Sequence, residues 1–297
     1  MSFLKLARFF VPLSAVLVVI SLVLLVYPGL KLSLDFTGGT MMELRLPEGK
    51  AKTDLEAALD SYAGERLGNV SLAETRARTV LLRLRNLSNE EHTALLDHIE
   101  QTGGPVTELQ FTTIGPTVGA SLKRRSLWAL GLASLAIVGY IAFAFRQIPR
   151  HLSPWRFGVI AVATLLHDIL ITVGIFVILS QFTTFEVDTL FVTALLTILG
   201  YSVNDTIVIF DRIRDNLLHQ DRREPFPVVA EKSLQQTLSR SLKTAVGTLI
   251  MLFSLLFLGA PNIRWFVLTL IIGIFFGTYS SIFIATPLLV YWRKADR

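Results

Sequence analysis

The chain has 297 residues, 52% of them hydrophobic and only 17% charged, with a mean hydropathy of +0.56. That balance excludes an ordinary soluble domain and describes an integral membrane protein. The net charge of +5 is carried largely by loops flanking apolar runs, so it reads as membrane topology and implies no nucleic-acid partner.

The first apolar stretch, Phe9 to Tyr27, follows Lys5 and Arg8 and lacks a small-residue cleavage site, so residues 1–27 are expected to form an uncleaved signal anchor. Residues 28–125 then form a polar segment large enough for one small domain outside the membrane. It contains no cysteine and must fold on its core alone. Met41 to Leu46, Thr79 to Arg85 and Val106 to Ile114 have strand composition or period-two alternation, with Asn69 to Ala73 a weaker fourth strand. Thr53 with Glu56, and Ser88 with Glu91, have the spacing of capping boxes that open two helices, the first running to Glu65. The order strand, helix, strand, strand, helix, strand predicts a ferredoxin-like α+β domain.

No nucleophile, base and orienter group together in this domain, and no metal-ligand spacing is present, so neither an enzyme nor a cofactor is expected. His92 and His98, six apart on a helix, are expected on its solvated surface. The domain's flanks are Asp35-Phe36-Thr37-Gly38-Gly39-Thr40 and Gly115-Pro116-Thr117-Val118-Gly119. Their glycines permit positive φ and close backbone approach, which suits either a hinge or a tight turn.

Residues 126–297 hold five further apolar stretches: Ser126 to Phe145, Phe157 to Leu179, Leu190 to Phe210, Leu242 to Gly259 and Trp265 to Tyr291. At a rise of about 1.5 Å per residue most span a hydrocarbon core of about 30 Å, giving six transmembrane helices in all. Arg146, Arg150 and Arg156 lie between spans two and three, and Arg212, Arg214, Arg222, Arg223 and Lys232 between spans four and five. The positive-inside rule makes these loops, and both termini, cytoplasmic.

Asp205 lies within the fourth span, about 16 Å from the inner end if that helix continues to Asn216. A carboxylate at such depth costs roughly 2.5–3.5 kcal/mol on insertion scales, and acids retained there usually face a partner or a water-filled path. Arg240, at the mouth of span five, is either its ion partner or a positive-inside anchor. His167-Asp168 in span three and Asn204 beside Asp205 extend this polar set, either as a proton path or as groups that satisfy one another. Asp211, Arg212, Arg214 and Asp215 have the spacing of an exposed, salt-bridged turn.

The motif Gly200-Tyr201-Ser202-Val203-Asn204-Asp205-Thr206-Ile207-Val208-Ile209-Phe210-Asp211-Arg212-Ile213-Arg214 resembles the SecD/SecF family of bacterial protein-export subunits, within the RND superfamily. Asp35 to Thr40, Gly115-Pro116, His167-Asp168 and Gln236-Thr237-Leu238-Ser239-Arg240 carry the same resemblance. It implies a multi-pass subunit of the bacterial inner membrane that pairs with SecD and works beside the SecYEG channel and SecA on a translocating unfolded polypeptide. It further implies that proton or sodium flow past Asp205 and Arg240, completed by an acid from SecD, moves the outer domain; Gly38, Gly39, Gly115 and Gly119 are the residues expected to relay that movement if their flanks act as a hinge.

Two other classes compete. An RND-type efflux subunit for small molecules or lipids has a similar membrane half, but this outer domain offers little room for a pocket of several hundred Å³. An intramembrane aspartyl protease carries G-x-G-D, where this chain has G-Y-S-V-N-D.

Overall fold

The computed structural model describes residues 3–47, 49–62, 67–68, 70–74, 79–144, 154–219 and 224–294. The loop cations Arg146, Arg150, Arg222 and Arg223, with Asn69 and Glu65 of the expected outer domain, lie outside the described residues. The chain divides into two compact units, 32–126 and the remainder, 1–31 with 127–297.

In the first unit a short helix α2 (Leu34–Thr37) precedes β1 (Gly39–Arg45), α3 (Lys52–Ser61), β2 (Ser71–Glu74), β3 (Thr79–Leu84), α4 (Asn89–Gly103) and β4 (Thr107–Ile114). The strands form one antiparallel sheet in the order β2-β3-β1-β4. Alternate residues of β1 and β3 (Met42, Leu44, Val80, Leu82, Leu84) enter a core closed by Leu55 and Leu59 of α3 and Leu95 and Ile99 of α4. A β-bulge between Glu43 and Leu44 shifts the pairing of β1 with β4.

The cap of α4 is the expected one: Ser88 Oγ accepts from the Glu91 N–H at 3.3 Å and Glu91 Oε2 from the Ser88 N–H at 2.9 Å. Arg85 also grips Glu91, and this contact holds its carboxyl at about 2, well below the usual carboxylate range. The cap of α3 differs from expectation. The helix starts after Ala51, whose N–H donates to Asp54 at 2.8 Å, because Asp54 rather than Glu56 stands three residues from the true start. The histidines are half-buried rather than fully solvated. His92 lies 2.9 Å from Glu108 and stacks on Phe111 at 3.9 Å, and His98 meets Ser61 and the Ala58 carbonyl.

The two flanks of this unit touch. Gly38 and Gly39 have φ of +69° and +119°, a region that favours glycine, and a Cβ on Gly39 would lie 2.7 Å from the Leu84 carbonyl oxygen. A Cβ on Gly119 would meet the Gly38 nitrogen at 3.0 Å. These glycines permit close passage of two backbones.

In the second unit, α1 (Phe3–Val26), α6 (Pro154–Phe182), α7 (Thr189–His219), α8 (Phe226–Leu258) and the final helix are long and apolar enough to cross a membrane. The final helix comprises α9 (Arg264–Ser280), a π-helical turn (Ser281–Ala285) and α10 (Thr286–Lys294). The expected second span falls on the latter part of α5 (Pro116–Ala144), and its last residue lies beyond the described ones. Among the described residues, therefore, five of the six expected spans meet that standard.

Small residues set the helix spacing. Gly273 and Gly277, four apart on α9, face Ile198 and Ser202 of α7 so closely that added Cβ atoms would come within 2.1 Å and 3.1 Å of them. Gly174 of α6 receives Ser21 of α1 in the same way. In hydrocarbon, where burial supplies little drive between helices, such close backbone packing is what holds a bundle.

Candidate ion-relay site

The close approach of α7 to α9 brings buried hydroxyls against the two membrane acids. Asp168, halfway along α6, is fully buried. His167 Nδ1 lies 2.8 Å from its Oδ1, while Ser202 Oγ of α7 and Ser280 Oγ of α9 donate to its Oδ2 at 2.5 and 2.8 Å. The π-helical turn then presents Ser281, the next residue, to Thr206 at 2.9 Å. One extra residue in the turn marks where the last helix serves α6 and α7 with adjacent side chains.

Asp205 is bound differently. Ser241 Oγ of α8 donates to its Oδ1 at 2.5 Å, and its Oδ2 is buried with no hydrogen-bond partner. No other carboxylate oxygen among the described residues is so placed. Arg240 does not pair with it. The side chain is exposed and lines a cavity of about 600 Å³ between α7 and α8, with Val208, Asp211, Arg212, Arg214, Gln236 and Thr237 among its walls. Val208 is about one turn from Asp205, and Thr237 one turn from Ser241, so the cavity approaches the acid from the Asp211 end of α7.

The expected set is thus divided. His167 and Asp168 are joined to each other, with His167 Nε2 buried and unpartnered. Asn204 is exposed on the outer surface of α7, away from the Asp205 hydrogen bond. Arg212 pairs with Asp215 at 2.8 Å and Arg214 with Asp211 at 3.4 Å, as their spacing predicts, although they form a cavity wall as well as a surface turn. Ser241, Ser280 and Ser281 escape the sequence reading, and Ser202 and Thr206 enter it only as members of the family motif, because membrane hydroxyls commonly satisfy themselves on their own helix, as Thr244 does on the Arg240 carbonyl.

These long apolar helices, with a half-satisfied buried acid beside a polar cavity, describe a multi-span membrane protein. Residues 94–295 match the family model "Protein export membrane protein SecD/SecF, C-terminal", and residues 23–46 match the SecD/SecF GG motif. The chain is 42% identical to the protein translocase subunit SecF of Thermobaculum terrenum, over 96% of this chain and 91% of that one. It is 37% identical to SecF of Desulfurispirillum indicum, over 98% and 91% of the two chains. The crystal structure of SecDF, a translocon-associated membrane protein from Thermus thermophilus, superposes with a TM-score of 0.82 at 32% identity over 99% of this chain. This chain spans 39% of that longer one. The chain belongs to the SecD/SecF family, and its role is in protein export.

Proposed function

We propose that this chain, paired with a SecD partner in the bacterial inner membrane, uses a proton or sodium gradient to promote polypeptide translocation beside the SecYEG channel and SecA. The observation that carries the reading is the half-satisfied carboxyl of Asp205. A buried acid with one bare oxygen is disfavoured when ionised, and a nearby guanidinium reverses the preference. Ser241 and Arg240 are successive residues of α8, about 100° apart around the helix. Turning α8 by that amount exchanges the hydroxyl for the guanidinium at Asp205. Loading the acid favours Ser241, and releasing the ion favours Arg240. The cavity beside Arg240 supplies a polar route to the inner side, with both termini on that side.

In this reading Asp168 and His167 hold the helices that flank the relay, the membrane half is a six-helix bundle that includes α5, and the outer unit is ferredoxin-like. The chain acts without chemistry of its own on the polypeptide. Movement passes to the outer unit through the glycine flanks at Gly38, Gly39, Gly115 and Gly119.

The partner surface is suggested by a polar stripe. Thr193, Thr197, Gly200 and Asn204 are exposed along α7, as are Arg240, Thr244 and Gly247 along α8, with open space beside both glycines. Small and polar residues on the outside of membrane helices suit a protein neighbour better than lipid. The matched SecDF chain is longer than this one, which supports placing the SecD membrane half there, with its own acid completing the relay.

The test is export by reconstituted vesicles under a proton gradient and, separately, a sodium gradient, for wild type and Asp205→Asn. Stimulation by one gradient that vanishes in the variant supports the reading, and equal stimulation in both proteins refutes it.

A further inference from the structure

We infer that Glu231 is a joint tying α8 to the first membrane helix, a positioning residue through which a turn of α8 at Asp205 reaches α1. The inference rests on the relay reading above. The N–H groups of Phe3 and Leu4, at the start of α1, donate to the two carboxylate oxygens of Glu231 at 2.7 and 3.1 Å. The first N–H groups of any helix lack partners within it and carry the positive end of its dipole, so a bidentate carboxylate from another helix both caps and grips that end.

Phe3 and Leu4 also pack on the cluster that holds Phe226, Ala230 and Leu234 of α8, but the other polar contacts described for α1 lead elsewhere. Ser14 bonds Tyr279 of α9 at 3.0 Å, Ser21 sits against Gly174 of α6, and Phe10 packs at a tilt against Phe283 of the π-helical turn. α1 thus belongs mainly with α6 and the last helix, and Glu231 links it to the helix that carries Arg240 and Ser241. Glu231 lies ten residues before Ser241, roughly 15 Å along the same rigid helix. Any rotation that trades Ser241 for Arg240 therefore swings Glu231 through the same angle. Either the start of α1 follows, or both bonds break. Because α1 leads in sequence into the outer unit, this joint is a route by which ion binding is converted into outward movement.

The test uses vesicles holding the chain with its SecD partner, SecYEG and SecA. Spin labels go on Arg8→Cys and Gln235→Cys, exposed positions on α1 and α8 in a chain with no native cysteine. In Glu231→Ala the label distance should broaden, and gradient stimulation of export should fall about tenfold, while export without a gradient and assembly with SecD stay unchanged. Glu231→Gln keeps an acceptor oxygen and should retain more stimulation than the alanine variant.

A narrow label distance with full stimulation in Glu231→Ala overturns the inference. So does a failure of that variant to assemble combined with wild-type distance and stimulation in Glu231→Gln, since the residue would then be structural alone. If Asp205→Asn abolishes stimulation while both Glu231 variants keep it, the joint fails and the relay stands. If Asp205→Asn keeps full stimulation, the relay itself fails.

Discussion

Asp168 and Asp205 are both acids in apolar helices, both more than nine-tenths buried, and their surroundings are opposite. Asp168 is gripped from three directions by groups on its own helix, α7 and α9. Asp205 has one hydroxyl, one bare oxygen and a guanidinium close in sequence to its partner but not joined to it. A saturated acid fixes helices, because breaking its contacts leaves several buried groups unpaired. An undersaturated acid has little to lose on changing charge or partner. In the proposed relay, the contrast is that of a structural rivet with a moving part, among residues that composition alone treats alike.

The sharpest way to break this comparison is to neutralise each acid in turn. Asp205→Asn should eliminate gradient-driven export and leave the unfolding midpoint of the solubilised chain near wild type. Asp168→Ala should instead destabilise the membrane half by about 3–5 kcal/mol, read from the same unfolding curve. If the two variants exchange these outcomes, the assignment of rivet and switch is reversed.

Gly39→Ala tests the outer unit. It forces a side chain into a left-handed backbone and against the Leu84 carbonyl, so the unit should lose about 1–3 kcal/mol by hydrogen exchange of β1 and β3. Ser241→Ala removes the one hydroxyl on Asp205 and leaves both its oxygens unpartnered, so it should lower the unfolding free energy by about 1–2 kcal/mol and reduce gradient-driven export about tenfold.

The smallest effect concerns pH and belongs to the unit formed by residues 32–126. Glu91 has a folded-state value of about 2, lowered from 4.5 by Arg85, so the folded form takes up this proton later than the unfolded chain does. Its stabilising contribution is present above 4.5 and is withdrawn as pH falls toward 2. Hydrogen exchange of α4 should accelerate across that window in wild type more than in Glu91→Gln.

The two units also differ in how much of each was legible. In the outer one, the alternation of β1 and β3 and the Ser88 and Glu91 pair are local signals, and the strands and the α4 cap lie within a few residues of expectation. The α3 cap slipped because Asp54 and Glu56 offer competing carboxylates two residues apart. That His92 and His98 are half-buried rather than solvated was not legible, because helix spacing says nothing about whether a strand, as beside His92, or a second helix, as beside His98, lies alongside.

In the membrane unit, the sequence by itself determined where the apolar spans lie and that Asp168, Asp205 and Arg240 stand in or beside them, although α8 begins at Phe226, well before the expected span, and carries Arg240 within it. Long apolar runs and expensive charges are properties of single segments. Only the tertiary structure decided that Ser241 rather than its neighbour Arg240 faces Asp205, that Ser202 and Ser280 close on Asp168, and that Glu231 caps α1. Each of those outcomes turns on the rotation of one helix against another. A step of one residue moves a side chain by about 100°, and that angle is set by packing between helices, through contacts such as Gly277 against Ser202, which no single segment contains.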